Sequence, residues 1–65
     1  MELKNRYKMI TEEFTLEFES MLNEMYFYKL LKTGRLFNKV EIFEDCNRNT
    51  YIVPIRKISA IIKLR

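Results

Sequence analysis

The chain has 65 residues, a formal charge of +3, no histidine, and one each of glycine, proline and cysteine. That length holds a single small α+β domain, residues 1–65, which buries only about 60% of its unfolded surface and is marginal without a staple or a partner. With Cys46 as the lone thiol, neither a disulfide nor a zinc site can supply that staple, which leaves association.

From the N-terminus, Met1 to Arg6 lead into no apolar run, so no signal peptide is read there. No stretch approaches the roughly 18 apolar residues of a membrane span. A cytoplasmic protein is therefore expected, and a free thiol in a turn suits a reducing compartment. Richness in Lys, Asn, Ile, Phe and Tyr is the habit of AT-rich coding, which points to a low-GC bacterium or its phage. Residues 3–10 are compatible with a strand or a loose arm.

Thr11 followed by Glu12 and Glu13 reads as a capped helix start, with acids at the positive end of the dipole. Gly34 stands where a helix would stop in a left-handed conformation. Between them Phe14, Phe18, Met21, Met25 and Tyr28 recur at spacings of four and three, with Leu22 widening the stripe. These signals predict one long amphipathic helix over about 12–33. The competing pattern is the alternation of Phe14, Leu16 and Phe18, which predicts a strand at 13–18 and a shorter helix capped by Ser20. That alternative makes the order β-α-β-β-β.

Beyond Gly34 the pattern turns to short β-rich runs at about 39–44, 50–54 and 58–64, a three-stranded antiparallel meander. Asp45 to Asn49 is a turn by composition, and Pro54 marks a strand end or an edge. Pairing Asp45 with Thr50 would put Ile42 opposite Val53 and Val40 opposite Ile55 on one face, with Phe43 opposite Ile52 on the other. In the last run Ile58, Ala60, Ile62 and Leu64 share a face and Ile61 opposes them. One helix covers one face of a sheet, so apolar groups remain uncovered on the other. The helix also carries apolar side chains nearly all round from Met25 to Leu31.

Uncovered apolar surface marks an association site. The residues expected to form a protein-binding or dimer interface are Tyr26, Phe27, Leu30, Leu31, Phe43, Ile52 and Ile61. The expected partners are a second copy, giving a homodimer, and a larger protein on which a small regulator or inhibitor docks. Catalysis is not expected. No histidine is present to act as a base, Cys46 lies beside Glu44 and Asp45 with nothing to activate it, and one glycine cannot build a phosphate loop. No cofactor or metal is expected either.

The other class is a small basic nucleic-acid-binding regulator. After Gly34 seven bases stand against Glu41, Glu44 and Asp45, a net of four positive charges. Its contacts would be Arg48, Arg56, Lys57, Lys63 and Arg65. Tyr51 to Arg56 resembles, over six residues, the strand of swapped-hairpin transition-state regulators. The glycine that pattern places before the strand is missing here, and a strand follows where that family has a helix. Five glutamates between Glu12 and Glu24, with no base among them, oppose phosphate binding.

Overall fold

The computed structural model describes residues 4–64. Its first element is a strand, β1 (Asn5–Thr11), paired antiparallel with β2 (Thr15–Ser20) so that Tyr7 lies opposite Phe18 and Met9 opposite Leu16. These four side chains are buried on one face, and the Tyr7 and Phe18 rings stack with centroids 5.5 Å apart. Glu17 and Glu19 point the other way, as a period of two requires.

The α+β class is as expected, but the helix at 12–33 is corrected. Residues 15–20 are a strand, so the strand–helix–strand–strand–strand order holds from β2 onward, with β1 added in front. Thr11 does cap: its Oγ1 accepts from the amides of Phe14 (2.9 Å) and Glu13 (3.2 Å). The cap closes a tight turn instead of starting a helix. Leu16 and Phe18 would sit about 200° apart on a helix, whereas on a strand both meet β1. Tertiary partners therefore override the glutamate-rich local preference.

Helix α1 (Glu24–Phe37) starts later and ends later than its sequence signals suggest. Asn23 is the cap, its side chain accepting from the Tyr26 amide at 3.1 Å. Gly34 lies inside the helix, and Asn38 takes the left-handed position after it (φ 57°). The physical reason is contact: a Cβ on Gly34 would stand 2.6 Å from Ile55 Cγ2. Here glycine permits close approach and does not stop the helix.

Strands β3 (Val40–Glu44) and β4 (Thr50–Pro54) form a separate hairpin. Its register differs by one from the expected pairing, with Glu44 opposite Thr50 and Ile42 opposite Ile52. The Asp45 carboxylate accepts from the amides of Asn47 (2.8 Å) and Asn49 (2.9 Å), which keeps Asp45 in the turn. Arg48 supplies the left-handed residue (φ 66°) that glycine normally provides. A one-residue slip exchanges faces, so Phe43 and Val53 point inward together while Ile42 and Ile52 point outward.

The expected meander is also corrected. After a 3₁₀ turn at Ile55–Lys57, β5 (Ile58–Lys63) leaves the hairpin and pairs antiparallel with β1. The three-stranded sheet therefore has the order β2-β1-β5. A bulge opposite Ile10 and Thr11 skips Ser59, so Ile58 and Ile61 both face inward. Helix and hairpin together cover the inner face of this sheet. Phe27 reaches Tyr7 (4.7 Å between centroids) and Phe18 (5.5 Å), and Phe43 reaches Phe18 (5.2 Å). Ile55 and Ile58 complete the core at the joint, both essentially inaccessible.

Candidate functional site

With the inner face of the sheet covered, part of the apolar surface left open lies on the outer side of the helix–hairpin layer, and Leu36, Tyr28 and Ile62 are open besides. Alternation along the hairpin turns Val40, Ile42 and Ile52 outward, with exposures of 54%, 66% and 70%. Phe37, at the helix end three residues before Val40, is 65% exposed. The helix and hairpin parts adjoin, because Leu22, Tyr26 and Ile42 line one cleft. The Tyr26 hydroxyl also reaches Glu41 Oε2 at 3.5 Å across that cleft. Partial desolvation, and then the Glu41 carboxylate, raise the Tyr26 pKa above the usual tyrosine value, so this hydroxyl keeps its proton and remains a donor. Val40, Ile42 and Ile52 are each more than half exposed, and open apolar side chains grouped in this way mark an association site.

The interface residues read from the sequence divide three ways. Tyr26 and Ile52 lie on this open patch. Leu30, Leu31 and Ile61 are half-buried and pack against the core. Phe27 and Phe43 are core residues, 5% and 6% exposed, so they support the surface from beneath without forming it. Val40, Ile42, Leu22 and Phe37 were missed. The signal for Ile42 was present in Asp45, whose side chain suits a turn with Asn47 and Asn49 and so sets the register. Nothing local marks Phe37, whose place depends on Gly34 lying within the helix.

The basic residues do not gather into one patch. Arg48 sits at the hairpin turn beside Glu44 and Asp45. Arg56 and Lys57 lie in the 3₁₀ turn, where Lys57 pairs with Glu13 at 3.8 Å. Lys63, at the far end of β5, pairs with Glu24 at 3.4 Å. A six-residue strand separates these two positions by roughly 20 Å. Arg65 lies outside the described residues. Both ion pairs are solvent-exposed, and such pairs add little stability.

Among the described residues, no group of three or more Cys, Asp or Glu side chains is placed to hold a metal. No described helix is long and apolar enough to cross a membrane. Comparison of the chain with protein-family models, curated proteins and solved structures yields no match. The surface geometry is thus the basis for assigning a function.

Proposed function

We propose that the chain is a small protein-binding regulator or inhibitor that acts in the cytoplasm. It docks on a larger protein through the outer face of the β3–β4 hairpin and the adjoining flank of α1. The observation that carries this reading is the Ile42–Ile52 pair, a cross-strand β-branched pair of the kind that fills sheet cores, here turned to water. Tyr26, in the adjoining cleft, is a residue type that protein interfaces favour.

The same patch brings two copies together when no other partner is present. Two copies facing across a two-fold axis would meet through one short hairpin and a helix flank, fewer residues than the roughly 20–30 a side of a standard specific interface. Self-association is therefore expected in the micromolar range, weaker than capture of a larger partner that also covers the rim.

Light scattering after size exclusion, run from low to high micromolar, tests this. The expected result is a dimer for the natural sequence, and a monomer with an unchanged circular-dichroism spectrum for Ile42→Lys and Ile52→Lys. A stable one-chain mass at high micromolar concentration would remove the self-association. Gel shifts on duplex and single-stranded nucleic acid at low and moderate salt address the nucleic-acid class. Tight binding lost both with salt and on charge reversal at Arg56 and Lys57 would replace this reading, because each neutralised phosphate steepens the salt dependence.

A further inference from the structure

We propose that the open edge of β5, with the cleft it shares with α1, receives an extended segment of a partner protein as an added strand. The segment carries an aromatic or branched aliphatic side chain with a carboxylate beside it. This inference rests on the protein-binding reading above but uses a different face of the molecule.

The described strands leave several edges open, and most are guarded. The β2 edge bears Glu17 and Glu19, β3 bears Glu41 and Glu44, and β4 ends in Pro54. Charges and proline on an edge are what discourage an incoming strand. β5 carries no charge or proline from Ile58 to Ile62, and the charge of its last residue, Lys63, is drawn to Glu24.

Backbone alternation shows which groups are free there. The Leu64 amide donates to the Arg6 carbonyl at 2.7 Å, so Leu64 points toward β1. In an antiparallel ladder every second residue does the same, which assigns Ile62 and Ala60 to β1. Ile61 and Lys63 accordingly turn their N–H and C=O groups to the open edge. At the start of the strand the Arg35 guanidinium donates to the Ile58 carbonyl at 2.7 Å, so the available stretch begins beyond it.

Beside this edge lies a cleft of about 250 Å³ between β5 and α1. Its apolar lining comes from Tyr7, Phe27, Tyr28, Leu31 and Ile61, with the Lys63–Glu24 ion pair also lining it. A cavity of about 150 Å³ already accepts a benzene ring, so the cleft accommodates one large side chain. A strand added about 4.8 Å from β5 directs alternate side chains to the cleft side. This division of labour is a known recognition mode, in which main-chain bonds supply affinity and a pocket supplies specificity.

Charge identifies the occupant. Lys32 and Arg35 line an adjoining hollow with Tyr28 and Leu31. At the other end Lys63 is already paired with Glu24, and Lys57, just before the strand, with Glu13. A carboxylate next to the apolar anchor, on the α1 side, meets Lys32 and Arg35. A second copy is the wrong occupant, because antiparallel pairing of β5 with itself brings the basic ends of both copies to one seam.

The test is selection from a displayed library of random eight-residue peptides on the immobilised full chain, followed by affinity measurement on synthetic winners. The expected winners carry an aromatic or branched residue with Asp or Glu nearby and lack a central proline. N-methylation of the peptide amides facing β5 should weaken binding by about tenfold or more, since it deletes donors without touching the protein. Tyr28→Glu, at an exposed position, should do the same, and Lys32→Glu replaces it if that variant fails to fold. Ile42→Lys should leave the affinity within about twofold. Winners indifferent to N-methylation and Tyr28→Glu but lost on Ile42→Lys would overturn the β5 site while leaving the protein-binding reading intact. No enrichment, or a light-scattering dimer abolished by Tyr28→Glu, would also overturn it.

Discussion

Gly34 and Arg48 show opposite uses of backbone freedom. At Gly34 the dihedrals are helical and any residue could adopt them, yet a Cβ would meet Ile55 Cβ and Cγ1 at 2.8 Å as well as Cγ2 at 2.6 Å. Ile55 is wholly buried and its branched Cβ has no flexible end to swing away. Gly34→Ala should therefore destabilise the protein by about 2 kcal/mol, overpacking outweighing the roughly 1 kcal/mol gain in helix propensity. Chemical denaturation measures this directly. Arg48 has the reverse problem, with space around it but a left-handed φ of 66° that costs a side-chain-bearing residue energy. Arg48→Gly should raise stability by about 1 kcal/mol, which for a domain of this size is roughly 4–8 °C in Tm. Cys46, exposed in the same turn, makes no contact that holds it there, so Cys46→Ser should change stability by less than about 0.5 kcal/mol.

At the scale of elements, the β3–β4 turn is held by one carboxylate. Partial burial pushes the Asp45 pKa up. Donors from the Asn49 amide and side chain, the Asn47 amide and the Tyr51 hydroxyl outweigh this, so the pKa falls below its ordinary value. The Tyr51 pKa is raised, chiefly because its hydroxyl donates to Asp45. A depressed carboxyl contributes stability above its unfolded value near pH 4 and loses it as pH falls through the folded value. A raised tyrosine contributes below about pH 10 and loses that contribution as pH rises through its folded value. The thermal midpoint should thus decline at both extremes, with Asp45→Asn flattening the acid limb and Tyr51→Phe the alkaline one. These elements also show what the sequence makes legible. The alternation of Leu16 and Phe18 was visible, but its rival, Thr11 with the glutamates, obeyed equally sound local rules. Choosing between them required β1, whose Tyr7 and Met9 complete the pairing. Likewise, the runs at 39–44, 50–54 and 58–64 were legible as strands. The departure of β5 toward β1 was not, because it turns on the burial of Ile55 and Ile58 at the joint, and neither carries a local signature.

For the molecule as a whole, the sequence shows more apolar surface than a single helix covers, and Tyr26 and Ile52 are where that surplus emerges. Phe27 and Phe43 could not be distinguished from them by composition, since the hairpin register alone decides which side of β3 sees water. If the hairpin patch is the docking surface, Ile42→Lys or Ile52→Lys should weaken partner capture by about 1–3 kcal/mol. Added salt should leave the affinity of the natural sequence nearly unchanged, a contrast that titration at two ionic strengths resolves. The β1–β5 ladder has a further consequence, in time. β1 finds β2 immediately after itself, but its other neighbour comes only after the helix and a second hairpin have intervened. Both hairpins and the helix can form from local contacts, whereas registering β5 on β1 must bear the closure entropy of everything between. Shortening Ile61, whose side chain belongs to that late seam, should accelerate unfolding and leave the refolding rate almost untouched in stopped-flow measurements.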